Sequence, residues 1–144
     1  MSIQAKDPLP SPKWSTPAVL TIKRIQMYVL EESFNDRPAG YHIYLRLSAE
    51  EGYGWSELFL NKADKPRDWT TWCGMLLKFI DASIQHQLPV IISPALCGQD
   101  DRLCQLFRAA AHRVSSEDLG FLNREFEDKE ALFFKQAISY ISLF

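Results

Sequence analysis

Apolar and polar positions alternate with a period of two through the first half of this chain, and from Pro66 onward the period becomes helical. Ala18 to Leu30 is rich in β-branched and aliphatic residues, and Ile25, Met27 and Val29 alternate with Arg24, Gln26 and Tyr28. Tyr41 to Ser48 alternates as well, with Ile43, Leu45 and Leu47 on one face and His42, Tyr44 and Arg46 on the other. Glu50-Glu51-Gly52 supplies a turn into a third strand, Tyr53 to Leu60. Glu31 to Gly40, which holds Asn35, Asp36, Pro38 and Gly40, reads as a polar loop between the first two strands. These segments predict an antiparallel meander.

Trp69, Trp72, Cys73, Leu76, Ile80 and Ile84 then recur at steps of three and four, which predicts a long helix with Pro66 in its first turn. Pro89, Pro94 and Gly98 break an apolar connection, Leu88 to Gly98. A second helix is expected from about Gln99 to Val114, with Leu103, Leu106, Phe107 and Ala110 inward. Ser115 or Ser116 reads as the cap of a short third helix, and Asp128 opens a fourth in which Ala131, Phe134, Ile138 and Ile141 share a face. Strands followed by helices give an α+β fold, a three-stranded antiparallel meander and then a bundle of about four helices. Residues 1–17, with Pro8, Pro10, Pro12 and Pro17, show no period and read as a flexible arm, in which Trp14 is expected to dock on the domain.

Composition narrows the class. At 144 residues, 47% hydrophobic and 24% charged, the chain suits one globular domain at 18–144. A net charge of −2 offers no electrostatic reason for a nucleic-acid or membrane partner. No apolar run approaches the ~20 residues that span a bilayer, and residues 1–17 lack the pattern of a signal peptide, so a cytoplasmic protein is expected. Cys73, Cys97 and Cys104 are odd in number and sit in apolar surroundings, which suits buried thiols better than disulfides or a metal site.

Three blocks carry a family resemblance. Residues 20–30 (Leu-Thr-Ile-Lys-Arg-Ile-Gln-Met-Tyr-Val-Leu) look like the opening strand of the mandelate racemase and muconate lactonizing enzyme group of the enolase superfamily. Residues 51–58 (Glu-Gly-Tyr-Gly-Trp-Ser-Glu-Leu) resemble that group's acidic-Gly turn and third strand, with Ser56 in place of a second small residue. Residues 94–107, from Pro94 through Gly98 and Asp100 to Leu106 and Phe107, resemble the loop and helix that follow its first cap helix. The order of the blocks is that of the capping domain, over residues 19 to about 143. The last segment departs from the pattern, because bulky Leu132, Phe133, Phe134, Tyr140, Ile141, Leu143 and Phe144 stand where the family has small residues.

In that family the acid/base groups and the Mg²⁺ carboxylates sit on a barrel that would begin where this sequence ends. The resemblance therefore implies a cap without catalytic residues, metal or cofactor. Its ligand or specificity residues would lie in the first loop and along the third strand: Glu31, Glu32, Phe34, Asn35, Asp36 and Arg37, then Trp55, Glu57 and Phe59. Glu57 between aromatics could act as a perturbed acid, although a sheet-ordering role suits it better. His42, His86 and His112 read as solvated or capping residues, and no nucleophile elbow, phosphate loop or His-Glu-x-x-His is present. The crowded apolar end predicts an interface at Phe133, Tyr140, Ile141, Leu143 and Phe144, with the arm as competing cover. The expected function is a non-catalytic interaction or small-ligand-binding protein. It would be a homo-oligomer or the partner of another protein, such as a barrel subunit. The alternative is a separate cap subunit that completes the substrate site of a barrel enzyme encoded elsewhere.

Overall fold

The computed structural model describes residues 19–85, 101–114 and 121–144. The fold is α+β. Among the described residues, a five-stranded antiparallel sheet is organised on one 16-residue strand, β1 (Val19–Phe34). One edge of β1 pairs with β2 (Arg37–Ala49), which pairs with β3 (Gly52–Asn61). The other edge is shared in tandem: β4 (Ser83–Gln85) pairs with Val19 to Thr21, and β5 (Ser139–Leu143) pairs with Ile25 to Val29.

A β-bulge gives β1 a single core face. Register shifts between Ile22, opposite Ala49, and Arg24, opposite Ser48, so Lys23 is an extra residue. Without it Leu20 and Ile22 would face away from Ile25, Met27 and Val29; with it all five are fully buried. The stretch from Glu31 to Gly40 is not a loop. Strand pairing runs on to Phe34 and Arg37, and only Asn35 and Asp36 turn, both at positive φ (52° and 63°). Two consecutive left-handed residues match the twist of a two-residue hairpin, and Asn and Asp tolerate that conformation. The Glu50–Glu51 turn forms as expected, fixed by the Glu51 carboxylate, which accepts from the Thr21 N–H at 2.8 Å.

Both faces of the sheet are covered. On the first, α1 (Trp69–Gly74) and α2 (Asp101–His112) lie over the aliphatic rows, with Trp72, Cys73, Leu76, Leu103, Leu106, Phe107 and Ala110 buried. The second face, which reads as polar in the sequence, packs against α3 (Phe121–Asp128) and α4 (Glu130–Gln136) through Tyr28, Trp55, Phe126 and Phe133. Gly54 lets α2 approach the first face: a Cβ there would stand 2.2 Å from the Ala110 carbonyl oxygen. Beside it the Ser56 hydroxyl donates to the Leu106 carbonyl at 2.6 Å.

Two expected helices are shorter than the periodicity implied. Asp68, not a residue before Pro66, caps α1, accepting from the Thr71 N–H at 3.0 Å. After Gly74 the chain tightens into a 3₁₀ turn at Leu77–Phe79. It then reverses at Asp81 (φ 63°), so that Ile84 joins β4 opposite Leu20. The last helix stops at Gln136, and Ile141 belongs to β5, opposite Met27. The unpaired edge of β1 accounts for both corrections, because a strand there satisfies backbone groups that a continuing helix would leave open. No helix among the described residues is long and apolar enough to cross a membrane. The arm at 1–17 with Trp14, the connection with Pro94, Cys97 and Gly98, the residues His86 and Asp100, and the expected caps Ser115 and Ser116 lie outside the described residues.

Candidate functional site

The second face of the sheet gathers most of the polar chemistry, and its rows follow from register. Trp55 lies opposite Arg46, and Arg46 opposite Gln26; Glu57 lies opposite Tyr44, Tyr44 opposite Tyr28, and Tyr28 opposite Tyr140; Phe59 lies opposite His42. Aromatic packing fills the middle. Phe133 stacks on Tyr44 at 4.0 Å between centroids, and Phe126 meets Tyr44 and Trp55 edge-on.

Two hydrogen-bonded clasps tie α3 and α4 to this face. Arg46 donates Nε and a terminal N–H to the two carboxylate oxygens of Glu127, both at 2.8 Å, and Trp55 Nε1 donates to the same carboxylate at 2.9 Å. Burial alone would raise the Glu127 carboxyl, but the bonds from Arg46 and Trp55 hold it below the usual carboxylate range. In the second clasp the Tyr28 hydroxyl donates to Glu130, and Gln26 Nε2 donates to the Tyr140 hydroxyl at 2.9 Å. Burial and the Glu130 bond push the Tyr28 phenol well above its ordinary range, so it stays a donor.

Asn123 meets the outer edge of β3 at Trp55. It accepts from the Trp55 N–H at 2.9 Å and donates to the Arg113 carbonyl at 2.8 Å, while Arg113 donates to the Trp55 carbonyl at 3.0 Å. Side chains thereby satisfy the outward backbone groups of β3 at Trp55.

At the rim nearest the hairpin the same face opens to solvent. His42 Nδ1 lies 2.7 Å from Glu32 and Nε2 lies 3.7 Å from Glu57, so the imidazole links carboxylates on β1 and β3. Its ring stacks on Tyr44 at 4.5 Å, with Phe59 edge-on at 6.5 Å. Burial, then the charges of Glu57, Glu32 and Glu125, push the Tyr44 phenol up to about 12. Among the described residues no group of three or more His, Cys, Asp or Glu side chains is placed to hold a metal ion. A shallow groove of about 210 Å³ on the other side, lined by Pro66, Arg67, Asp68, Thr71, Trp72 and Met75, is smaller than the few hundred Å³ of an ordinary ligand pocket.

The expected ligand residues separate in the structure. Glu32, Glu57 and Phe59 meet at the rim; Glu31 and Arg37 are exposed on the hairpin strands; Asn35 and Asp36 form its tip. Phe34 lies in β1 next to that turn. Trp55 does not reach the surface: it is 0% exposed, under Phe126 and Phe133. The expected interface residues also divide. Phe133 and Ile141 are interior, 4% and 7% exposed; Tyr140 and Leu143 are half-buried; Phe144 is 82% exposed. His42, expected to be a solvated or capping residue, is instead paired with Glu32 and stacked on Tyr44, and Arg46, Glu127, Gln26 and Glu130 were given no role by the sequence. The available signal was Tyr28, Tyr44, Tyr53 and Trp55 on one nominally polar face, more aromatic surface than a solvated face needs.

Comparison of the chain with protein-family models, with curated proteins and with solved structures returns no match. The fold class therefore rests on the structure alone: α+β, with five antiparallel strands and four helices among the described residues.

Proposed function

We propose that this protein is a non-catalytic interaction protein, built on a fold related to the enolase-superfamily cap, that binds another protein chain through the surface formed by α4 and the flanks of β5. One observation carries the reading. Leu132, Phe134, Ile138 and Phe144 are 48%, 60%, 53% and 82% exposed, and these large apolar side chains fall within thirteen consecutive residues. Phe134 rests edge-on against Tyr140 of β5 at 4.9 Å, which joins the helix and strand parts of this surface, and a contiguous exposed apolar patch marks a binding face more often than scattered exposure does. The charged and phenolic groups of the sheet's second face meanwhile bind one another across the layers, which is a structural use of them. The relation to the cap is supported by the order of β1, β2 and β3 before the helices, and by the small residues Gly54 and Ser56 under α2. Strands β4 and β5 depart from a three-stranded meander.

A photo-crosslinking residue in place of Phe134 tests the proposal in cells. A protein adduct through position 134, and none through Lys62, exposed just beyond the end of β3 at the opposite edge of the sheet from β5, is the expected result. A folded variant that gives no protein adduct at 134 would overturn it. The second reading, a separate cap subunit of a barrel enzyme, is favoured by the convergence of Glu32, Glu57 and Phe59 at one rim, since those positions match the cap's substrate-selecting region. It predicts crosslinks from Phe59 to a barrel protein.

A further inference from the structure

The two long edges of the sheet are treated differently. At the β3 edge, Asn123 and Arg113 take up the outward N–H and carbonyl of Trp55. The outer edge of β5 pairs with nothing among the described residues, and its sequence, Ser-Tyr-Ile-Ser-Leu, has neither a charge nor a proline. Unprotected edge strands of this kind are templates for further pairing, and soluble proteins usually block them.

β5 is also matched to itself. In an antiparallel pair centred on Ile141, Ile138 of one copy falls opposite Phe144 of the other, Ser139 opposite Leu143, and Tyr140 opposite Ser142. The strongly exposed apolar residues at the two flanks of the strand, 53% and 82% exposed, would thus cover each other twice about one two-fold axis. Continued at the strand's period of two, these positions just outside β5 fall on the side of Tyr140, against which Phe134 rests edge-on at 4.9 Å. Isologous contacts require this self-complementarity.

We infer that the partner is a second copy of this chain, joined β5 to β5 about a two-fold axis at Ile141, so that the two sheets become one continuous ten-stranded sheet. The exposed rings supply part of the area that a stable dimer needs. Taking about 200 Å² for a phenylalanine side chain, Phe134 and Phe144, 60% and 82% exposed, offer about 280 Å² per copy. Two copies supply about half of the ~1,200 Å² at the lower end of stable interfaces, and Ile138, Leu132 and the strand backbones contribute further. The inference rests on the proposed function and names its partner.

Light scattering of the full chain at ~100 µM should give twice the 16.6 kDa chain mass. Single variants Ile138→Cys and Phe144→Cys, mixed and oxidised gently, should form the 138–144 heterodisulfide, mapped by mass spectrometry. Ile138→Cys alone should not link to itself, since those positions would sit about 20 Å apart at ~3.3 Å per residue. The double variant Ile138→Lys/Phe144→Lys should be monomeric, and mixing it with Ile138→Glu/Phe144→Glu should restore the dimer. That rescue excludes simple misfolding. A monomeric wild-type protein, a dimer that links 138 to 138, or a monomer that dimerises only after removal of residues 1–18 would each overturn the inference. An adduct from position 134 to a different protein alone would sink the dimer and leave the interaction reading standing.

Discussion

Removing the Glu127 carboxylate should destabilise the protein by about 2–3 kcal/mol. In Glu127→Ala the Arg46 guanidinium loses a two-pronged partner at 2.8 Å on both bonds, and Trp55 Nε1 loses its acceptor at 2.9 Å. Hydrogen bonds to charged groups contribute about 1.5–3 kcal/mol each, and orphaning one member of a fully buried ion pair costs about 3–5 kcal/mol. The site is less dry than that: the Arg46 and Glu127 side chains are 17% and 31% exposed, so water would recover part of the loss. Glu127→Gln keeps the shape and an acceptor for Trp55, and should cost about 1 kcal/mol. Urea unfolding followed by circular dichroism and tryptophan fluorescence measures both. A double-mutant cycle with Arg46→Met should return a coupling of about 1–2 kcal/mol, above the 0.2–1 kcal/mol typical of exposed pairs. The pH dependence has a definite sign. The Glu127 carboxyl is held below its ordinary value in the folded state, so the unfolded chain takes up the proton first as pH falls. Its contribution is present above ~4.3, the unperturbed glutamate pKa, and fades as pH drops through the lower folded value. Glu127→Gln should flatten that part of the stability curve. A coupling below ~0.5 kcal/mol, or an unchanged acid slope in Glu127→Gln, would refute the claim that this pair fastens α3 to the sheet.

Phe133→Ala should cost about 3–5 kcal/mol because the ring is buried between Tyr44, Tyr28 and Trp55, whereas Phe134→Ala, one residue on and 60% exposed, should stay within about 1 kcal/mol in the monomer; equal losses in denaturant titrations would contradict the phase of α4. Gly54→Ala should lose several kcal/mol, since its Cβ would meet backbone of α2 at 2.2 Å, and a thermal midpoint unchanged from wild type would show that α2 does not lie where described. The Cys73 thiol, pushed up to about 12 by burial, should react with a thiol reagent at pH 8 only after unfolding, as read by peptide mapping; rapid native labelling of Cys73 would rule out its place in the core.

The alternation in Tyr41 to Ser48 and the aliphatic set on β1 determined, before any tertiary information, that an antiparallel sheet would bury Ile25, Met27, Val29, Ile43, Leu45 and Leu47. The helical spacing of Leu103, Leu106, Phe107 and Ala110 likewise fixed the inward face of α2. These signals are local, because each depends only on which side of one element a residue points. Of the candidate site, Glu57 and Phe59 were legible as a strand pair, but His42 and Glu32 joined them only through register across three strands. The fate of Ile84 and Ile141 was not legible either. Both suit a helix or a strand by composition, and the open edge of β1 decided for strands. The same holds for Arg46 and Tyr44, whose polar atoms suggest solvent until α3 and α4 supply Glu127 and Phe133 above them. A sequence records how polar a face is. Whether another layer carries groups that satisfy it depends on residues some eighty positions away, and only the tertiary structure brings those together.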